Sequence, residues 1–369
     1  MTTNQPVLKP PADGFVSQYD DNHFDAILVL SFGGPEGMED VIPFLENVTR
    51  GRNIPRERLA EVGEHYRMFD GVSPLNAQNR ALIAALREEL DAHGIDLPIY
   101  FGNRNWHPLL TDTMAQMMAD GVKRALAFFT SAYSCYSGCR QYRENLYVSQ
   151  EEVGPDAPEV LKLRMFYNHP GFVEPNIQFV QDALATIPEE RRDKAQLVFA
   201  AHSIPTAMAK QSRYEAQLLE TARLVAEGVG MTNYRLVYQS RSGPPHIPWL
   251  EPDVCDYIEE LHEQGVEDVI LSPIGFISDH MEVMFDLDVE AKETAESLNM
   301  NLLRVPSVGT HPQFISMIRE LIQERLHGQE KRFLGDHGPS HDVCPVNCCL
   351  PGTGRPSPWH GGRSTRLND

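Results

Sequence analysis

The sequence is short of positive charge. Its 369 residues include 32 lysines and arginines against 52 aspartates and glutamates, which leaves a formal net charge of −20 at pH 7. A protein that binds nucleic acid or an anionic lipid surface needs clustered cations to neutralise the phosphates. The charge balance therefore predicts a protein that binds neither.

Long apolar runs are also missing. No apolar stretch approaches the roughly 18–20 residues that cross a bilayer. The first residues, MTTNQPVLKPPADG, contain no apolar core of an export signal. Six cysteines are too few for a disulfide scaffold. Together these absences predict a cytoplasmic protein without a membrane span.

Apolar, β-branched and aromatic runs alternate with stretches of helical periodicity. Eight runs predict strands at 25–31, 97–103, 122–130, 160–167, 195–203, 234–239, 266–273 and 301–305. Their near-continuous apolar character is typical of strands buried on both faces of a parallel sheet. Helical patterns, such as 76–93 and 311–326, lie between them. The alternation predicts a doubly wound α/β fold, and two sets of four strands predict two similar domains.

The composition changes at both ends of the chain. We predict a flexible arm, two domains, a closing helix and a tail, at 1–23, 24–167, 168–308, 309–328 and 329–369 respectively. The tail is rich in Gly, Pro and His, a composition that predicts disorder. Three cysteines lie within it, so a bound metal that orders the tail is the alternative: Cys344, Cys348 and Cys349.

The motif AAHSIP at 200–205 places His202 where a predicted strand ends. The carboxyl ends of parallel strands face the ligand crevice of an open α/β sheet. A histidine there can act as a base or as a metal ligand. A histidine that only bonds a backbone carbonyl is the plain alternative.

An acidic segment follows a later strand. Glu282, Asp286 and Glu290 recur at i, i+4 and i+8, so they share one face of a helix predicted to begin near Ser278. Like charges at this spacing repel, so the stripe costs stability unless cations occupy it. It favours a channel for a divalent metal or a proton relay, with a solvated acidic face as the alternative.

The tail cysteines form the pattern C-x3-C-C and supply three thiolates of a site that needs four ligands. The fourth must come from the body of the chain, where Cys135, Cys139 and Cys255 are available. Four thiolates suit structural zinc or an iron–sulfur cluster, and the spacing does not distinguish them.

Glycine-containing loops hold candidates for an anionic ligand. Arg50 and Arg52 form a small basic cluster, and arginine pairs bidentately with carboxylate. The loop FGGPEG at 32–37 matches no nucleotide-binding pattern.

Taken together, these motifs resemble the ferrochelatase family. The resemblance runs from about 25 to 326 and is carried, in family order and spacing, by LVLSFGGPEGMEDV at 28–41, GVSPL at 71–75, GNRNWHP at 102–108, AHSIP at 201–205, YQSRSGPP at 238–245 and PIGFISDHMEV at 273–283. It implies two Rossmann-like domains of the class II chelatase type, each with a four-stranded parallel sheet flanked by helices and with a cleft between them. It also implies an enzyme that inserts Fe(II), its metal substrate, into a porphyrin.

The resemblance further implies the roles of individual residues. His202 and Glu282 would face each other across the cleft as catalytic and iron-binding residues, with Asp286 and Glu290 as an acidic relay. The porphyrin would be bound by a further set of side chains: Phe32, Arg50, Arg52, Ser73 and Tyr142.

The cysteines acquire an expected role by the same resemblance. Some ferrochelatases carry a 2Fe-2S cluster, and its ligands here would be Cys139, Cys344, Cys348 and Cys349. Cys135 is the rival for the body position, and Cys255 is expected to be a core thiol.

The expected porphyrin is coproporphyrin III, because the chain lacks the extended apolar lip of membrane-bound protoporphyrin enzymes. A protoporphyrin IX ferrochelatase and a cobalt or nickel chelatase of the same fold are the alternatives. Phe32 stands where some coproporphyrin enzymes have tyrosine. We expect a monomer that passes its product to a downstream haem-pathway enzyme.

Overall fold

The computed structural model of the chain describes residues 22–50, 54–345 and 347–352. Eight β-strands lie in this part of the chain, and each overlaps a run that the sequence predicts. They are β1 Ala26–Ser31, β2 Ile99–Asn103, β3 Arg124–Phe129, β4 Glu159–Lys162, β5 Gln196–His202, β6 Tyr234–Gln239, β7 Asp268–Ser272 and β8 Asn301–Arg304.

Helices connect and cover these strands. The α-helices of the described residues are α1 Met38–Val48, α2 Arg56–Arg67, α3 Leu75–Ala92, α4 Leu110–Ala119, α5 Gln141–Val153, α6 Pro170–Thr186, α7 Glu189–Arg192, α8 Thr206–Ala209, α9 Tyr214–Val229, α10 Val254–Glu263, α11 Met281–Val283, α12 Ala291–Ser297 and α13 Pro312–His327. Two π-helical turns occur at Tyr136–Arg140 and Met284–Glu290. Of these helices, none is both long and apolar enough to cross a membrane.

The strands form two parallel sheets with the same topology. The first has the order β2-β1-β3-β4 and the second the order β6-β5-β7-β8. Strands β1 and β7 are buried along their whole length, as near-continuous apolar runs predict for parallel sheets covered on both faces. The predicted fold of two four-stranded α/β units is confirmed.

The topology determines where ligands bind. Strand order reverses at β1 in one sheet and at β5 in the other, and such a switch point opens a crevice at the carboxyl end of the strand. Phe32 directly follows β1, and His202 is the last residue of β5. Both predicted site residues therefore lie at equivalent positions of the two units.

A shared core joins the two units. One apolar cluster contains Val29 and Leu126 of the first sheet together with Phe199 and Ile270 of the second. The Tyr133 hydroxyl also donates a hydrogen bond of 2.8 Å to the carbonyl of Ile274. The predicted domain boundaries stay predictions.

The structure corrects the predicted start of the acidic helix. Ser278 does not cap it, because the helix begins at Met281 after an extended His280. The backbone N–H of Asp279 donates to the Gln78 side chain, and the Asp279 carboxylate accepts hydrogen bonds from Arg304 and Ser307. These contacts hold 278–280 outside the helix.

A buried ion pair joins the end of α13 to the segment that follows β4. Arg164 and Glu324 are 0% and 3% exposed and make two hydrogen bonds of 2.8 and 2.9 Å. Arg164 also donates to the carbonyl of Arg332, the first contact between this pair and the tail.

Glu324→Gln should lower the free energy of unfolding by about 3–5 kcal/mol, because it leaves the Arg164 charge buried without a counter-ion. Urea denaturation measures the loss. Glu61→Gln is the matched control, since Glu61 pairs with Arg58 in solvent and such pairs contribute about 0.3–0.5 kcal/mol. Equal losses in the two variants would contradict this account.

Candidate active site and metal centre

His202 is oriented by two hydrogen bonds. Its Nδ1 lies against the carbonyl of Ser203, which can only accept, so Nδ1 carries a proton. Its Nε2 lies 3.3 Å from Oε2 of Glu282. Burial alone would lower the pKa of His202, but the hydrogen bond and negative charge of Glu282 outweigh it and raise that pKa.

Glu282 lies in α11, directly after the corrected helix start. Burial would raise the pKa of its carboxyl, but the hydrogen bond from His202 and its charge lower the pKa to about 2. Near neutral pH the carboxylate is therefore ionised and faces an imidazole that tends to hold its proton. An imidazole and a carboxylate at this distance can also share one metal ion.

Asp286 continues the acidic line within the second π-helical turn. It accepts hydrogen bonds from the Ser240 hydroxyl and, at 3.1 Å, from the Gln239 side chain. Burial, together with the charges of Glu282 and Glu290, raises the pKa of Asp286 to about 7. Its carboxyl group therefore gains and loses a proton near neutral pH, which a relay requires.

Glu290 ends this line. Burial raises its pKa, and His65 opposes the shift. The ring of His65 stacks on Phe285 at a centroid distance of 4.0 Å, so α2 of the first unit contacts the π-helical turn of the second. Met281 of α11 adds an apolar contact between the two units, in a cluster with Phe44 of α1 and Tyr66 of α2.

A second constellation lies at the tail. Cys139, in the first π-helical turn, lies close enough to the thiols of Cys344 and Cys349 for both to shift the pKa of its own thiol. The Sγ atoms of Cys348 and Cys349 are 3.5 Å apart. His341 joins them, with Nε2 3.9 Å from Cys348 Sγ. The structure thus describes the tail over 329–345 and 347–352, and His341, Cys344 and Cys348 form a group there that could hold a metal ion.

The surroundings of this thiol centre are cationic. Burial would lower the pKa of Arg143, but the charges of Cys344 and Cys139 raise it. Its buried Nε and Nη2 have no hydrogen-bond partner among the described residues. Arg140 donates to the carbonyl of Cys348 at 2.9 Å. These charges fit an anionic group, which four thiolates and a metal cluster would form.

The other two cysteines lie apart from the centre. Cys135 accepts a hydrogen bond of 3.1 Å from the N–H of Gly138 and caps the first π-helical turn. Its burial raises the pKa of its thiol. Cys255 lies in α10 and packs at the edge of the second unit's core. Cys139, not Cys135, contacts the tail cysteines.

Comparison with known proteins decides the family. The family model described as ferrochelatase matches residues 24–326, which is most of the chain. The chain belongs to the ferrochelatase family. The resemblance and the enzyme class predicted from the sequence motifs are confirmed.

Curated relatives cover nearly the whole ferrochelatase chain. A protein of Rhodopirellula baltica named ferrochelatase is 56% identical over 94% of this chain and 98% of its own length. A protein of Streptomyces coelicolor named coproporphyrin III ferrochelatase is 52% identical over 92% of this chain and 96% of its own. Among solved structures, SirB from Bacillus subtilis with Fe3+ shares the fold, with a TM-score of 0.53 and 14% identity over 83% of this chain and 97% of that one.

The predicted porphyrin-binding residues of this ferrochelatase occupy different environments. Phe32 is 37% exposed, and Arg50 is exposed in the turn after α1. Ser73 is buried against Gly34, and Tyr142 is buried beneath Arg104. Arg52 lies outside the described residues.

Sequence reasoning missed three side chains of the site. Arg104 lies between the rings of Phe32 and Tyr142, with its guanidinium carbon 5.6 and 4.5 Å from their centroids. Gln239 and Ser240 hold Asp286. All three lie in GNRNWHP and YQSRSGPP, two of the motifs that carry the family resemblance. The motifs could therefore have pointed to these residues, although no role was assigned to them.

Glu282→Gln should lower the pKa of His202, because the substitution removes the negative charge and weakens the hydrogen bond that raise it. The chemical shift of the imidazole, followed by NMR across pH, measures the change. Glu61→Gln, an exposed carboxylate in α2, should leave the titration as it is. An unaltered His202 titration in Glu282→Gln would show that the pair is not coupled.

Proposed function

We propose that this chain inserts Fe(II) into coproporphyrin III to give iron coproporphyrin in haem biosynthesis. The observation that carries the proposal is the His202–Glu282 pair, 3.3 Å apart at the switch point of the second sheet. The curated relatives from Streptomyces coelicolor and Streptomyces griseus, each 52% identical, are named for coproporphyrin III and support this porphyrin.

The pair and its neighbours suit the proton balance of the reaction. Two pyrrole N–H protons must leave the porphyrin as Fe2+ enters, and a positioned base accelerates such transfers. When the metal ion neutralises Glu282, His202 passes its Nε2 proton towards Asp286, and once the ion has moved on to the porphyrin Nε2 is free to accept a pyrrole proton. Asp286, with a pKa of about 7, accepts protons from this point and passes them outward towards Glu290.

The carboxylates of Glu282, Asp286 and Glu290 also suit the metal substrate, Fe(II). Oxygen and imidazole ligands bind divalent iron well enough to replace its water and weakly enough to release it. Exchange of water for Glu282 and His202 lets Fe(II) shed its hydration shell in stages rather than at once. The cleft contributes by holding the macrocycle in a shape close to the transition state.

The proposed porphyrin contacts come from the end of β1 and from other segments of the first unit. Phe32 offers an exposed ring that can pack on the macrocycle. Coproporphyrin III carries four propionates, and Arg50, Arg52 and Ser73 are the proposed groups that bind them. Tyr142 is proposed to contribute indirectly. Its buried ring contacts Arg104, which in turn lies beside Phe32.

The thiol centre is proposed to hold a 2Fe-2S cluster through Cys139, Cys344, Cys348 and Cys349. Their mutual contacts and the partner-free buried nitrogens of Arg143 support an anionic occupant. A bound cluster would supply one-electron redox chemistry and a covalent tie between the tail and the body. The residues themselves position the thiolates and shield them from water.

The cytoplasm is the proposed location. Six cysteines in 369 residues are too few for a disulfide scaffold, and a reducing compartment is the usual location of such a chain. The product would pass from there to a downstream haem-pathway enzyme.

Anaerobic incubation with Fe(II) should quench the fluorescence of coproporphyrin III faster than that of protoporphyrin IX. His202→Ala should lower kcat about 10²–10⁴-fold, the usual contribution of a general base, while porphyrin binding persists. His262→Ala, an exposed histidine in α10, is the matched control. A preference for protoporphyrin IX would overturn the proposed substrate, and normal turnover by His202→Ala would overturn the role of His202.

The purified protein should be brown, with about two iron and two sulfide ions per chain. Cys344→Ser should abolish the visible absorbance, because it removes a ligand at the centre. Cys255→Ser should retain it, since that thiol lies in α10 away from the centre. A colourless protein with one zinc per chain, purified from iron-replete cells, would refute the cluster.

A further inference from the structure

The thiol centre contains a fifth donor. The ligand atoms of His341, Cys344 and Cys348 all lie within 4.8 Å of one another. A 2Fe-2S cluster takes four protein ligands, and the cysteines already supply them. The cluster therefore leaves His341 without a metal to bind, although its Nε2 faces Cys348 Sγ.

The distances within this group suit a single metal ion. Zn²⁺ binds sulfur at about 2.3 Å and nitrogen at about 2.0–2.1 Å, so neighbouring ligand atoms of its tetrahedral sites are about 3.5–3.8 Å apart. Here His341 Nε2 is 3.9 Å from Cys348 Sγ, and Cys348 Sγ is 3.5 Å from Cys349 Sγ. Both separations agree with the edge of such a tetrahedron.

Two lysine side chains hold the segment that carries these donors. The buried Lys162 of β4 donates a hydrogen bond of 3.2 Å to the carbonyl of His341. Lys331 pairs with Asp342, the next residue. Cys349 has a φ of 56°, a left-handed conformation that a residue with a side chain adopts only where its surroundings impose it.

We propose that His341, Cys344 and Cys348 form a mononuclear site for a thiophilic divalent cation such as Zn²⁺, which Cys349, with its Sγ 3.5 Å from that of Cys348, closes after a shift of its side chain. The site shares its thiols with the proposed cluster, so the two occupants exclude each other. Only the divalent cation uses His341. When iron is too scarce for a cluster, the cation holds His341, Cys344 and Cys348 together in the tail.

Co²⁺ tests the site, because tetrahedral cobalt reports its ligands in the visible spectrum. The full-length chain, purified without a cluster from iron-starved cells, is titrated with Co²⁺ under anaerobic conditions and then challenged with Zn²⁺. We expect thiolate-to-cobalt charge transfer, intense ligand-field bands at one ion per chain, and their loss on addition of zinc. Absence of these bands would overturn the proposal.

His341→Ala should weaken cobalt binding at least about tenfold and shift the ligand-field bands. The matched control is His337→Ala, an exposed histidine of the same tail. Circular dichroism and the unfolding midpoint of each variant establish that it is folded. Wild-type affinity and spectrum in folded His341→Ala would overturn the proposal.

Iron-replete preparations separate this site from the cluster. His341→Ala should keep the cluster absorbance of the wild type, whereas Cys344→Ser should lose both the cluster and cobalt binding. Loss of the cluster in His341→Ala would overturn the assignment, since His341 would then belong to the cluster. Cobalt binding through His341 in a chain that never forms a cluster would refute the cluster and leave this site in place.

Discussion

The hydrogen bond between His202 and Glu282 places an imidazole proton next to the carboxylate that is proposed to bind the metal ion. Glu282 stabilises the protonated imidazole and loses basicity in return, so the pKa values of the two groups move apart. In the proposed mechanism, a cation that reaches Glu282 reverses this bias and frees Nε2. Proton release and metal arrival would then be coupled at a single contact, with Asp286 as the proposed acceptor of the released proton.

This contact depends on two neighbouring strands of the second sheet and on the segment that follows β7. β5 presents His202, while α11, beyond the loop after β7, presents Glu282, and Gly275 of that loop lies so close to Ala201 that an added Cβ would stand 2.7 Å from it. The tail depends on a different principle. Buried polar contacts, from Arg164 and Asn168 to tail carbonyls, hold it where apolar residues are few.

Local patterns were sufficient for much of the fold. Each of the eight strands follows from an apolar run, and α3 and α13 follow from helical spacing. Where a predicted strand or helix boundary is wrong, the cause is a tertiary contact. β4 ends at Lys162 rather than near 167, and Leu163 makes the last bond to β3 before Arg164 turns to Glu324. The acidic helix begins after Ser278, because Asp279 bonds Gln78 and Arg304, residues remote in sequence.

The sequence by itself determined the family, the alternation of strands and helices, and the residue types available for chemistry. Motif order suffices for these, because they depend on neighbours along the chain. Only the tertiary structure decided which groups meet: Cys139 rather than Cys135 at the tail, Ser240 on Asp286, and His341 beside Cys348. Contacts between distant segments set these distances and the accompanying pKa shifts, and no local pattern encodes them.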